Sequence, residues 1–183
     1  MAAAPTSSLA TVAIDFTALP GRALVDSGVV MRAMGDFPED SRSAACKAFY
    51  EAMLLNNREI LIAAPTVTEV MRKDGKRQIP RTRLIEIVAF DQPAAELLGK
   101  VLQQDVLKEV GAATGLSLTH LKYDAMIVAC AARYNAECIG SIDGGFEKLA
   151  ARFEIPIPVY GPSHYLASQT TLALPPSSPT PNK

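Results

Sequence analysis

The stretch YDAMIVACAARYNAECIGSIDGG, residues 123–145, carries the pattern that decides the fold. Residues 123–134 are apolar nearly all round, which predicts a buried helix. The run CIGSI at 138–142 predicts a short strand. An acid stands at each junction, with Asp124 opening the helix and Asp143 following the strand. A helix that leads directly into a strand is typical of an α/β domain.

The same alternation continues on both sides of this stretch. Further strands are predicted at 22–26, 59–63, 84–90 and 157–160. Further helices are predicted at 41–56 with Ser41 as N-cap, from Pro65 across Glu69, and at 92–109, which begins at Gln92-Pro93 and stops before Gly111. Strands that alternate with helices predict a three-layer α/β/α domain, in which helices cover both faces of a mainly parallel sheet.

The composition bounds the class of protein. With 183 residues, 49% of them hydrophobic, the chain can bury the core of one globular domain. A net charge of −1 excludes a positive electrostatic field over the whole protein, so contact with nucleic acid requires a local patch of basic residues. No apolar run reaches the roughly 18 residues of a membrane span, and MAAAPTSSLA lacks the basic start of a secretory signal. We therefore expect a cytoplasmic protein, whose three cysteines are reduced thiols without metal-type spacing.

The composition also divides the chain into an N-terminal extension, a folded domain and a C-terminal tail. Residues 1–20 are expected to form a partly flexible N-terminal extension, and residues 21–168 the folded domain. Residues 169–183 end in PPSSPTPNK, which is too polar and proline-rich to pack, so a disordered tail is expected there.

Four carboxylates mark the junctions of this otherwise apolar chain. Asp26 and Asp143 follow predicted strands, whereas Glu69 and Asp124 lie near the starts of predicted helices. In parallel α/β sheets, ligands bind outside the carboxyl ends of the strands. All four acids are therefore expected to converge on one edge of the sheet.

Each acid also has a purely structural interpretation. Asp124 could stabilise the first turn of its helix through the helix dipole. Glu69 follows Thr66 at the spacing of a capping box. Asp26 and Asp143 could each begin an Asx-turn. Taken one at a time, these interpretations compete with a functional one.

The four acids together favour a metal site. Like charges in one pocket raise one another's pKa and destabilise the fold, unless a cation neutralises them. Mg²⁺ or Mn²⁺ prefers oxygen ligands, and zinc is disfavoured because no cluster of histidine and cysteine accompanies the acids. Such a cation could activate water and stabilise the displacement at a phosphodiester.

Five segments, in order, resemble the PIN-domain family, and most of all the VapC-type toxins of bacterial toxin–antitoxin pairs. The resemblance runs from about Arg22 to Ala167 and is carried by ALVDSGVVMRAM, VTEVMRK, FDQPAAELLGKV, YDAMIVACAARYNAECIGSIDGGFEKL and VYGPSHYLA. No single motif is specific, but their order and spacing together are. Two positions depart from the pattern: Gly28 replaces an Asn or Ser, and Gly145 replaces a further acid that some relatives carry.

The resemblance implies a Mg²⁺- or Mn²⁺-dependent ribonuclease, with an antitoxin protein as partner and a homodimeric assembly. It implies that four catalytic acids serve as metal ligands: Asp26, Glu69, Asp124 and Asp143. Ser141 is implied as a supporting hydroxyl, and Ser27 more weakly as support for the first turn.

A basic stretch follows the segment that holds Glu69. It contains Arg72, Lys73, Lys76, Arg77, Arg81 and Arg83 against Asp74 alone. Contact with the RNA backbone is one interpretation, for Arg72, Lys73, Lys76 and Arg77 in particular. A solvated loop and a docking site for an acidic partner are the others. The two histidines, His120 and His164, have no partners in the sequence and favour surface or structural roles.

Two other functions compete with a ribonuclease. A non-catalytic PIN-like module that binds RNA or protein would show neither cleavage nor a response to metal. A receiver-like signalling domain also groups acids at a sheet edge. It is the weaker alternative, because Asp143 comes too late in the chain and the expected lysine on a late strand is missing.

Overall fold

A computed structural model describes residues 14–35, 37–38, 40–73, 75, 78–152 and 157–166, without the side chains of Lys73 and Gln104. Its strands are β1 (Arg22–Val25), β2 (Glu59–Ala63), β3 (Ile85–Val88), β4 (Cys138–Gly140) and β5 (Val159–Tyr160). Its helices are α1 (Ser27–Ala33), α2 (Ser41–Leu55), α3 (Ala64–Lys73), α4 (Gln92–Val101), α5 (Gln104–Thr114), α6 (Leu118–Arg133) and α7 (Gly145–Ala150), followed by the 3₁₀ helix η1 (Pro162–Tyr165).

The five strands form one parallel sheet in the order β3-β2-β1-β4-β5. The chain moves from β1 outward through β2 to β3, then crosses to the other side of β1 to add β4 and β5. The strand order therefore reverses between β1 and β4. In open α/β sheets this switch point is where ligands bind, outside the carboxyl ends of the strands.

The central strands are buried on both faces, which explains why they are continuously apolar in sequence. Successive side chains point to opposite faces of a strand. Leu24 and Leu61 therefore join the core on the side of α4 to α7. Val25 and Ile60 join the core on the side of α1, α2 and η1. The predicted three-layer α/β/α architecture is confirmed.

The predicted helices differ from the observed ones in three ways. Helix α1 was not expected, because its seven residues include Gly28 and two valines, which are weak helix formers. The predicted helix 92–109 is two helices, since the chain turns at Leu102 and Gln103 so that α4 and α5 can both pack on α6. Helix α6 begins five residues before 123, and its N-cap is Ser117.

The N-cap of α2 is Asp40 rather than Ser41, because the Asp40 side chain accepts a hydrogen bond from the Ser43 backbone N–H at 2.6 Å. Two observed strands are shorter than predicted. Strand β4 stops at Gly140 rather than at residue 142, and β5 begins at Val159 rather than at residue 157.

The described part of the expected N-terminal extension packs against the domain. Ile14 forms an antiparallel bridge with Leu166, and the Asp15 N–H donates to the Tyr165 carbonyl at 2.8 Å. Ile14 and Leu19 are buried. Residues 1–13 and the predicted tail 169–183 lie outside the described residues.

Two further expectations concern the cysteines and the membrane. All three cysteines, Cys46, Cys130 and Cys138, are buried free thiols. Within the described part of the chain, no helix has the length and apolar character needed to cross a membrane.

Candidate active site

Asp26 lies at the switch point of the sheet, immediately after β1, and caps helix α1. Its Oδ1 accepts a hydrogen bond from the Val29 N–H at 2.7 Å, and its Oδ2 accepts one from the Ser141 hydroxyl. The residue is only 4% exposed. Burial raises the pKa of Asp26 to about 6, and the negative charge of Asp143 adds to this effect, whereas the hydrogen bonds from Ser141 and Val29 oppose it.

Asp143 lies in the loop after β4, the strand that neighbours β1. The Asp143 N–H donates to Ser141 Oγ at 2.9 Å, and its own Oδ1 accepts from the Gly145 N–H at 3.1 Å. This Asx-turn is the structural role that the sequence allowed. Ser141 contacts both acids, so it joins the ends of β1 and β4 at their carboxyl edge.

Asp124 is the seventh residue of α6, so the interpretation that it stabilises the first helical turn is wrong. Its side chain lies at the sheet edge instead. Burial raises the pKa of Asp124 to about 7, and the charges of Asp143, Glu69 and Asp26 raise it further, in that order. The other three acids are thus all near enough to act on this one carboxyl group.

Glu69 is the sixth residue of α3, which begins at Ala64, so the predicted capping box is also wrong. Thr66 Oγ1, the cap that this interpretation needs, is buried and has no hydrogen-bond partner among the described residues. The one purely structural explanation offered for Glu69 is therefore removed.

The structure brings all four predicted acids to a single cleft of about 470 Å³ at the carboxyl edge of the sheet. Ser27 and Gly28 line the cleft at the start of α1, and Leu116, Ile127 and Phe146 form an apolar wall. Apolar surroundings of this kind strengthen the electrostatic repulsion between carboxylates. The same surroundings make a bound cation more favourable.

The chemistry of these side chains fits a hard divalent cation, which takes carboxylate oxygens and keeps several waters. Among the described residues, however, no three acidic, histidine or cysteine side chains are close enough together to enclose an ion. Asp26 is held by two hydrogen bonds, whereas Asp143 is exposed and Glu69 half-buried. An ion could therefore be enclosed by these acids only after some of their side chains had moved.

Both departures from the PIN pattern are explained by packing. A Cβ atom at Gly145 would lie 2.8 Å from Leu116 Cδ1, and also 3.6 Å from Asp143 Oδ1 and 3.7 Å from Asp124 Oδ2. A Cβ atom at Gly28 would lie 3.1 Å from Ile142 Cγ1. The space for a fifth acid beside Asp124 and Asp143 is thus partly taken by Leu116.

One polar residue of the cleft, His120, was not predicted from the sequence as part of the site. It lies one helical turn before Asp124 on α6 and is exposed at the cleft. Ser117 Oγ, the N-cap of α6, is 3.3 Å from His120 Nδ1. The spacing of four residues between His120 and Asp124 was the available signal, since it places both on one face of a helix. His164 lies elsewhere and stacks on Tyr160.

The basic stretch is described only in part. Arg72, Arg81 and Arg83 are exposed. Lys76, Arg77 and the Lys73 side chain lie outside the described residues. Arg72 follows Glu69 by three residues on α3, which places the two on neighbouring positions of one helix face.

Comparison with known proteins identifies the family. A model of the PIN domain matches residues 23–152, well over half of the chain, and the match includes all four acids. The chain belongs to the PIN-domain family. PIN domains are generally nucleases.

One solved structure similar to this PIN domain is VapBC2 from Rickettsia felis, bound to a DNA fragment from its promoter. The two chains share 14% sequence identity, and the match covers 76% of this chain and 98% of the other, with a TM-score of 0.49. No protein of curated function matches the sequence significantly.

Proposed function

We propose that this PIN-domain protein is a metal-dependent endoribonuclease and the toxin component of a type II toxin–antitoxin pair. The observation that supports the nuclease is the convergence of Asp26, Glu69, Asp124 and Asp143 on one cleft at the switch point of a parallel sheet. Burial and, after it, repulsion from the other three carboxylates raise the pKa of Asp124, and a divalent cation held by the four acids would offset the part that is due to repulsion.

The four acids would hold Mg²⁺ or Mn²⁺, which when bound supplies an activated water and stabilises charge on a phosphodiester. Ser141 fixes the Asp26 carboxylate by donating to Oδ2, while the Val29 N–H fixes Oδ1. Ser27, in the first turn of α1, contributes to the wall of the cleft. The apolar side chains of Ile127 and Phe146 limit the entry of bulk water beside Asp124.

The basic stretch supports RNA as the substrate. Arg72 is exposed one helical turn after Glu69, where its guanidinium can contact the phosphate backbone. We include Lys73, Lys76 and Arg77 in this proposed contact because they lie within five residues of Arg72 in the sequence. The stretch contains no aromatic residue, so recognition there is of backbone charge rather than of stacked bases.

The toxin role rests on the resemblance of the sequence motifs to VapC-type toxins. It carries with it a cognate antitoxin, a homodimer and a cytoplasmic location. Co-expression with the protein encoded by a short neighbouring reading frame tests this part separately. Formation of a stable complex that suppresses cleavage would support the toxin role, whereas cleavage that no such protein suppresses would contradict it.

The nuclease is tested by incubating purified protein with single-stranded RNA and Mn²⁺ or Mg²⁺. Cleavage should require the metal and should fall by about 100-fold or more in Asp124→Asn, which removes a proposed ligand but preserves the size of the side chain. Asp105→Asn is the matched control, since Asp105 is an exposed acid on α5 outside the cleft. Equal cleavage by Asp124→Asn and the unmodified protein would exclude the mechanism.

A non-catalytic PIN-like module that binds RNA or protein is the alternative. It is favoured by the finding that no three potential metal ligands among the described residues lie close enough together to hold an ion. Titration with Mn²⁺ distinguishes the two functions. An unchanged melting temperature together with absent cleavage would favour the binding module.

A further inference from the structure

A second cleft, of about 450 Å³, adjoins the candidate active site. It lies between the first turn of α2, the loop after β4 and the start of η1. The two clefts share Ile142, Asp143 and Gly144, which form the ridge between them. A ligand that crosses this ridge would therefore occupy both clefts at once.

We infer that this second cleft binds the nucleotide next to the scissile phosphate of the RNA, and that Arg42 contacts a phosphate of that nucleotide. The inference rests on the proposed nuclease function and adds a substrate subsite to it. The volume of the cleft lies within the range of roughly 300–1,000 Å³ that is usual for small-ligand sites. An RNA strand has repeating units that can extend from one cleft into the next, and its phosphates match a site with a positive charge.

Arg42 supplies the positive charge that such a site requires. Its side chain is exposed at the mouth of the cleft, and among the described residues no carboxylate pairs with it. The nearby acid Asp40 is already engaged by Arg32, whose Nη1 lies 3.2 Å from Asp40 Oδ2. A guanidinium beside a cleft that pairs with no carboxylate of the described residues is suited to a bidentate contact with phosphate.

The other side of the cleft is lined by carboxylates and a serine hydroxyl. Glu147 and Asp143 stand on the β4–α7 side, and Ser163 stands on the η1 side. Carboxylates repel phosphate but accept hydrogen bonds from ribose hydroxyls and base amino groups. This division of charge orients a nucleotide with its phosphate toward α2 and its sugar or base toward α7.

The test compares Arg42→Gln with Lys47→Gln. Both variants remove one positive charge from α2, but Lys47 is exposed outside the two clefts. Binding of a fluorescent single-stranded RNA is measured in EDTA at several salt concentrations. Arg42→Gln should weaken binding about tenfold, as expected for a hydrogen bond to a charged group. It should also reduce the slope of log K against log salt by about 0.7, the value for one phosphate contact on a single strand.

Cleavage assays add a second readout. In Arg42→Gln, KM should rise about tenfold while kcat stays within about twofold, because the lost contact is away from the reacting phosphate. Ser163→Tyr, which places a bulky side chain in the cleft, should raise KM as well. Substrates shortened from either end locate the subsite, since the effect of Arg42→Gln should disappear once the neighbouring nucleotide is removed.

The outcomes separate this inference from the nuclease proposal. If the unmodified protein does not cleave RNA, the nuclease proposal fails, whereas the salt slope in EDTA still tests the subsite. If the protein cleaves RNA but Arg42→Gln changes neither the salt slope nor KM, the subsite is overturned. In that case a protein segment becomes the better candidate for the cleft.

Discussion

At the scale of single residues, the candidate site depends on how one buried acid is held. Asp26 is nearly inaccessible, yet its two oxygens accept hydrogen bonds from Val29 and Ser141. Ser141 also accepts from the Asp143 N–H, so one hydroxyl fixes the positions of two acids. The resemblance to PIN domains implied Ser141 as a supporting hydroxyl, and these hydrogen bonds are the contacts through which it would act on both acids.

Ser141→Ala removes the side-chain donor to Asp26. At about pH 8 the Asp26 carboxylate is charged, so the free energy of unfolding should fall by about 1–3 kcal/mol. At about pH 4 the loss should be smaller, because Asp26, with a pKa of about 6, is then protonated in the folded state. Urea unfolding at the two pH values measures this difference. Ser163→Ala, at an exposed serine, is the control, and an equal loss at both pH values would contradict the assignment.

Asp124→Asn should stabilise the metal-free protein at neutral and higher pH. The pKa of Asp124 is about 7 in the folded state against 3.8 for the ordinary carboxyl, so the folded protein binds an extra proton between these values. Stability is therefore lost as the pH rises from about 4 to about 7 and stays lower above that. Because the side chain is partly exposed, we expect an effect of only about 1 kcal/mol, or about 2–4 °C in Tm.

Thermal melts in EDTA measure this prediction. The Tm difference between Asp124→Asn and the unmodified protein should grow from about pH 4 to about pH 8. Asp105→Asn, at an exposed acid, should show no such trend. A variant that is equally destabilised at both pH values would show that Asp124 serves the fold rather than a site.

At the scale of elements, the start of α7 and the turn between α5 and α6 meet at the edge of the cleft. Gly145 and Leu116 are in such close contact that a Cβ atom at residue 145 would require Leu116 to move. The atom in contact, Leu116 Cδ1, is at the end of a flexible side chain, so it can move at a moderate cost in free energy. The sequence showed only that Gly145 departs from the family pattern, whereas the packing shows why.

Gly145→Ala should lower the free energy of unfolding by about 1–3 kcal/mol through overpacking. Leu116→Ala in the same chain should remove most of that penalty, because the clashing atom is gone. A double-mutant cycle by urea unfolding measures the coupling between the two residues. Gly144→Ala is the control, since a Cβ atom there meets nothing within 4 Å. Additive effects of Gly145→Ala and Leu116→Ala would contradict the packing argument.

The elements themselves were predictable to different degrees. Strands β1 and β2 were found at nearly their observed bounds, because strands buried on both faces leave continuous apolar runs. Helix α1 was missed, because it is stabilised by the Asp26 cap and by burial of Val29 and Val30 rather than by helix propensity. The break between α4 and α5 was missed as well, since the packing of both helices on α6 sets it.

At the scale of the whole molecule, metal binding should stabilise the fold. Asp26 and Asp143 follow β1 and β4, whereas Glu69 and Asp124 lie in α3 and α6, so an ion held by the four acids would join segments on both sides of the switch point. A ligand present at 100 times its dissociation constant stabilises a protein by about 2.7 kcal/mol. Saturating Mn²⁺ should therefore raise Tm by about 5–10 °C.

Scanning calorimetry with and without Mn²⁺ measures this stabilisation. The gain in Tm should be larger at about pH 8 than at about pH 5, because protons compete with metal for the carboxylates. It should be lost in Asp143→Asn and retained in Asp105→Asn. An equal gain in Asp143→Asn would show that the ion binds elsewhere.

The sequence by itself determined the α/β class, the parallel sheet and the expectation that four acids meet at one edge of that sheet. These follow from local periodicity, because buried strands and helices leave their pattern in consecutive residues. Only the tertiary structure decided that Glu69 and Asp124 reach this edge from within α3 and α6, as the sixth and seventh residues of those helices, rather than from the helix starts. It also decided that His120 joins them and that a second cleft continues past Asp143 toward Arg42. These features depend on the order of the strands and the packing of helices across them, which no local stretch of sequence encodes.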